Sequence, residues 1–254
     1  MPQKIASSAF TLAVTSVFTA FVCIATMIFS IYVPATRGFF NIGESMVFLT
    51  AILFGPAIGA FAGGVGSALA DILLIEYWYY APGTIIVKAC EGFVVGFLSR
   101  RTPKFSSKRS WKLFTILFGV AFGIFLAFVG TTFYVGEVEL LLGSTAYVVF
   151  IPSEFWLILG AVLAFSLAGM VVAGFGIEPE FGWTILSMVC GGLVMVLGYF
   201  IYQMFFIGWL FNIEVIAVAE LPVNIGQMGV GTAVALPAAR IVLRAFPHLK
   251  QASK

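Results

Sequence analysis

Long apolar runs separated by short polar breaks dominate the chain. They predict membrane-crossing helices at residues 7–33, 42–55, 57–75, 83–99, 113–133, 147–174, 183–211 and 221–246. About 20 apolar residues are needed to cross the hydrocarbon core as a helix, and of these runs the second is short. Gly55-Pro56 divides what would otherwise be one run from Met46 to Ile75. Proline is tolerated in the first turn of a helix, so the break reads as a tight hairpin between two spans. A transmembrane barrel would show alternating ten-residue segments instead of continuous runs. Lipid cannot satisfy exposed backbone groups, so the pattern predicts an all-α, polytopic integral membrane bundle of about eight helices. Residues 1–254 form a single transmembrane domain on this reading.

Composition agrees, since 61% hydrophobic residues, 9% charged residues and a mean hydropathy of +1.11 cannot make an ordinary water-exposed surface. Charge adds an orientation. Lys4, then Arg100, Arg101, Lys104, Lys108, Arg109 and Lys112, then Arg240, Arg244, Lys250 and Lys254 all fall on one side of the predicted topology. The positive-inside rule puts that side, and both termini, in the cytoplasm of a cell-membrane protein. The N-terminal run is too long for a secretory signal and leads into further spans, so it is read as a retained helix. Cys23, Cys90 and Cys190 lie within spans without paired spacing, and they read as packing residues.

Catalysis finds no support. Asp71 is the one aspartate and His248, beyond the last span, the one histidine, so neither a two-aspartate protease nor a serine–histidine pair can be built within the membrane. A His-Glu-x-x-His zinc site and a G-x-x-x-x-G-K-[ST] nucleotide loop are also missing. The expectation is a non-enzyme with no catalytic residue, metal site or cofactor, and no nucleic-acid partner. Uphill transport would need an ion gradient or another subunit.

Ionisable side chains inside a membrane are costly and point to function. Arg37, Glu44, Asp71, Glu76, Lys88, Glu91 and Glu220 cluster in or near the outer half of the predicted bundle. Lys88 and Glu91 can be a self-satisfying i,i+3 ion pair or ligand contacts. Asp71 ends a row with Gly55, Gly59, Gly63 and Ser67 at intervals of four, whose glycines are better read as a helix–helix seam than as ligand contacts. Glu76-Tyr77-Trp78-Tyr79-Tyr80 is either an interfacial aromatic belt or, in part, a cover over a flat ligand. The last span opens with Glu220, Asn224 and Gln227 at helical spacing, and these must face the bundle rather than lipid. With Asn41 and Glu44, they describe a polar, aromatic-capped cavity open to the outside.

The stretches Gly38-Phe39-Phe40-Asn41-Ile42-Gly43-Glu44, Leu53-Phe54-Gly55-Pro56 and Gly63 to Asp71 resemble the substrate-binding S components of energy-coupling factor (ECF) transporters. So do Ala81-Pro82-Gly83-Thr84 through Lys88, Glu91-Gly92-Phe93 and Glu220-Leu221-Pro222-Val223-Asn224. The resemblance covers roughly residues 36–100 and 217–246. It implies a subunit that captures a vitamin or related micronutrient from outside, working with a transmembrane coupling subunit and two cytoplasmic ATPases. The missing nucleotide loop is then expected. It further implies partner docking through small residues four apart on the first helix, which Ala9 and Ala13 match. Members usually have six spans, so two additional helices are expected between about residues 113 and 211.

The candidate substrate-binding residues are therefore Asn41, Glu44, Asp71, Tyr77, Trp78, Tyr80, Lys88, Glu91, Glu220, Asn224 and Gln227. Acidic residues outnumber Arg37 and Lys88 among the clustered charges, which mildly favours a cationic or amine-bearing ligand, and the aromatics favour a flat ring. A pyrimidine, thiazole or flavin would each fit. The rival reading is an autonomous ion-coupled permease with Glu91, Asp71 or Glu220 carrying the ion, although the second half holds no counterpart of the Gly-Pro hairpin. A non-transporting assembly subunit is a third reading.

Overall fold

The computed structural model describes residues 8–33, 37–101, 108–142, 145–172 and 179–246. Lys4, Lys104, His248, Lys250 and Lys254, named above, lie outside them. The helices are α1 (Ser8–Ile28), α2 (Glu44–Phe54), α3 (Pro56–Leu73), α4 (Ala81–Ser99), α5 (Lys108–Phe133), α6 (Ser153–Val172), α7 (Pro179–Tyr202), α8 (Gly208–Phe211) and α9 (Ala217–Ala245). A π-helical turn, Gln203–Ile207, joins α7 to α8, so the two continue one span. The fold is an all-α membrane bundle, as the apolar pattern predicts. Six helices among the described residues are long and apolar enough to cross a membrane.

Three expected spans change. The run at 42–55 yields only the 11-residue α2, about 16 Å long at 1.5 Å per residue and therefore half a bilayer deep. The runs at 7–33 and 147–174 do not remain helical throughout. Their ends form strands of a small antiparallel sheet ordered β2-β1-β3-β4, comprising β1 (Ser30–Val33), β2 (Gly38–Asn41), β3 (Gly136–Leu142) and β4 (Thr145–Ile151). Ser30 pairs with Asn41 across the first hairpin and with Leu141 of β3. Hydropathy cannot separate a short apolar strand from the end of an apolar helix. The β-branched and aromatic segments Ile31-Tyr32-Val33 and Tyr147-Val148-Val149-Phe150-Ile151 favour the strand.

Bilayer-spanning helices gain nothing from hiding apolar side chains that lipid would solvate equally well, so close packing has to hold them. The α3–α4 seam shows this best. A Cβ at Gly59 would sit 2.9 Å from the Gly92 carbonyl oxygen, one at Gly63 2.9 Å from that of Lys88, and one at Gly64 2.6 Å from that of Ile85. The two backbones touch along most of their length. Gly55, at φ +89°, turns the chain from α2 into α3, and a side chain there would run into the Arg100 guanidinium. Around this pair, Phe48, Val95, Ile185, Met188 and Met195 form the centre of the core. The outer surfaces carry Leu12, Ile24, Phe61, Leu117, Leu197 and Ile241.

Replacing Gly92 by alanine should force the α3–α4 backbones apart. An overpacking cost of about 1–3 kcal/mol is expected, read as a melting temperature several degrees lower in detergent. Gly208→Ala is the control, because its Cβ would meet nothing closer than Ile213 at 3.8 Å. An unchanged melt for Gly92→Ala would contradict the backbone contact.

Candidate substrate-binding site

A cavity of about 420 Å³, measured to its open mouth, lies among α1, β2, α3, α4, α7 and α9. Its walls include Thr26, Phe39, Asn41, Ser67, Asp71, Tyr80, Thr84, Lys88, Tyr199, Glu220, Asn224 and Gln227. The α3 row is divided between helix packing and the cavity wall. Gly59 and Gly63 form the seam with α4, while Ser67 and Asp71, one and two turns further on, line the cavity.

Charge is concentrated on one side. Lys88 of α4 is buried and bonded to Glu44 of α2, and it lies 3.2 Å from Glu91 one turn along its own helix. The Lys88 ammonium also sits 5.8 Å from the centre of the Tyr199 ring. Glu44 is pinned from behind, since a Cβ at Gly231 of α9 would approach its own Cβ to 2.8 Å. Lys88 and Glu91 form the i,i+3 pair, and Lys88 also lines the cavity. Glu44 and Glu91 do not line the cavity, and they serve as the buried counter-charges behind Lys88.

The opposite wall is a relay of amides. Gln227 accepts from the Asn41 backbone N–H at 2.8 Å and donates to the Asn224 side-chain oxygen at 2.9 Å. The Asn41 side chain meanwhile accepts from the Gly43 N–H at 2.9 Å, holding the turn into α2. Across the cavity the Tyr199 hydroxyl donates to Thr84 at 3.0 Å, and Thr84 is in hydrogen-bonding reach of the Asp71 carboxylate. After these bonds are made, Asp71 Oδ2 and Asn224 Nδ2 remain buried without a partner among the described residues. Such atoms cost about 1–3 kcal/mol each, so an acceptor on one wall and a donor on another mark places for a ligand's complementary groups.

Residues 6–171 match the family described as ECF-type riboflavin transporter, S component. The chain belongs to that family. A protein of Pyrococcus woesei described as an "Uncharacterized protein in gap 3'region" is 35% identical over 159 residues, 60% of this chain and 89% of the relative. No solved structure matches the chain at a significant level. The matched segment of this S component ends within α6, so Tyr199 and the α9 residues Glu220, Asn224 and Gln227 enter the cavity from outside it.

The aromatic segment of the S component divides its roles. Tyr80 lines the cavity and accepts from Gln203 of the π-helical turn at 3.0 Å. Tyr77 is buried behind it, its ring 4.3 Å from that of Phe39. Trp78 is not in the cavity: it is 53% exposed and packs on Phe211 at 5.2 Å, a belt position. Four adjacent aromatics in a turn point in different directions, and only one reaches the site. Ala9 and Ala13 are both exposed, one turn apart near the start of α1. Sequence reasoning missed Thr26, Thr84 and Tyr199 as cavity residues. Tyr199 and Tyr202 on α7 and Gln203 of the π-helical turn, at helical spacing, carried the signal for a third polar face.

Lys88→Met should strand two buried carboxylates and destabilise the S component by about 3–5 kcal/mol. Adding Glu44→Gln and Glu91→Gln should restore most of that loss. Chemical unfolding of the single and triple variants checks it, and equal stability of the single variant and wild type would contradict a structural ion triad.

Proposed function

We propose that this S component captures a vitamin-like heterocycle from the outer face of the cell membrane and hands it to a transmembrane coupling subunit driven by cytoplasmic ATPases. The observation that carries the reading is a cavity with unsatisfied polar atoms, buried among membrane helices of a chain that belongs to the S-component family. Buried polar groups without partners inside a bilayer are expensive, and a bound ligand is the economical reason to keep them. The aromatic walls Phe39, Tyr80 and Tyr199 suit a flat ring. Flavins are one class of such rings, and the family's description names riboflavin.

Both termini are assigned to the cytoplasm by the basic loops, which puts the cavity mouth outside. On this assignment Ala9 and Ala13 lie toward the cytoplasmic end of α1, exposed where a coupling subunit can pack closely. Asn41, Asp71, Tyr80, Lys88, Glu220, Asn224 and Gln227 hold the ligand, while Glu44, Tyr77 and Glu91 support that wall.

Tagged protein taken from its native membrane should bring with it a membrane coupling subunit, ATPases and a small heterocycle, all identified by mass spectrometry. A chain that purifies alone and transports in ATP-free proteoliposomes under an ion gradient would establish the permease instead. Asn224→Ala should weaken ligand affinity at least tenfold in equilibrium titration. Ala9→Leu and Ala13→Leu should abolish uptake with affinity unchanged, and loss of binding in these two variants would remove them from the docking surface.

A further inference from the structure

Charge balance inside the cavity narrows the substrate class. Among the described residues that line it, Lys88 is the one cation, and its ammonium is already engaged by Glu44 and Glu91. It presents little unsatisfied positive charge to a ligand. Asp71 stands on the adjoining helix, 4% exposed, with one carboxylate oxygen lacking a partner. Tyr199 donates to Thr84, which is in hydrogen-bonding reach of the Asp71 carboxylate, and Asp71 Oδ2 still keeps no partner among the described residues. Four buried acidic side chains, Glu44, Glu91, Asp71 and Glu220, therefore stand in or beside the cavity against a single ammonium in a low-dielectric interior, where unbalanced charge is strongly disfavoured. Phe39, Tyr80 and Tyr199 present aromatic surface to the same space, and ring faces attract cations.

We propose that the preferred ligand is a flat heterocycle carrying a positively charged nitrogen, with that nitrogen seated on Asp71. This rests on the reading of the cavity as the S component's capture site. It departs from an uncharged flavin as the preferred substrate. The cationic nitrogen donates to Asp71 Oδ2 and balances its charge. Asn224 Nδ2, on the opposite wall, donates to a ring nitrogen or carbonyl of the same ligand.

The test uses two pyrimidines that differ in one group: 4-amino-5-aminomethyl-2-methylpyrimidine, whose arm is an ammonium at neutral pH, and its 5-hydroxymethyl counterpart, whose arm is uncharged. Equilibrium titration of the full-length protein in nanodiscs should show at least tenfold tighter binding of the ammonium compound. In Asp71→Asn the preference should fall to within about threefold. Should the variant fail to fold, the wild-type preference alone decides. Equal binding of the pair, preference for the alcohol, or binding of riboflavin with neither pyrimidine would overturn the cationic assignment and leave the capture site standing. Failure of every heterocycle to bind would overturn both.

Discussion

An ammonium and its counter-carboxylates can be kept inside a membrane protein only if the helices carrying them are held at contact distance, because separating such charges in a low-dielectric medium is prohibitively unfavourable. Lys88 imposes that condition here. Its partners sit on its own helix and on α2, and α9 presses a glycine against the back of one of them. α2, too short to cross a bilayer, is thereby tied at its first turn to α4 and α9, two of the helices that frame the cavity. The charged wall and the placement of α2 are one arrangement: the short helix begins where the triad needs a carboxylate.

The polar wall of α9 follows a different logic. Its amides are satisfied mainly by one another and by the backbone of β2, so they rigidify the site without placing further charge in it. β2 also separates two environments. Phe39 faces the polar cavity, while its neighbour Phe40 faces an apolar cleft of about 360 Å³ lined by Leu126, Trp156 and Pro222. The alternation of a strand achieves this partition in consecutive residues, which a helix could not do.

Helices were legible in the sequence because hydropathy over twenty residues is a strong signal, and Gly55-Pro56 marked the one hairpin that matters for the α3–α4 seam. The sheet was not, since β1 and β4 continue the apolar runs of the neighbouring helices, while β2 and β3 are short segments in the breaks between the predicted spans. At the site, the i,i+3 relation of Lys88 and Glu91 and the polar face of Glu220, Asn224 and Gln227 were readable from spacing. The engagement of Glu44, 44 residues away from Lys88, was not, because spacing says nothing of contacts between distant helices. Nor could spacing say which of Tyr77, Trp78 and Tyr80 turns inward, as a turn lacks the fixed period of a helix.

The glycine seam also decides which wall of the cavity is able to yield. Where α3 and α4 meet backbone to backbone, neither can roll or slide without a steric collision, so Asp71 and Lys88 travel as parts of one stiff plate. The facing wall is built otherwise. β2 meets α9 through side chains, and Pro222 and Pro237 each remove a donor from the α9 hydrogen-bond ladder. At the proposed capture site, the wall that yields most readily is therefore α9, with its two interior prolines, and the strand beside it, set against a fixed anvil of packed glycines.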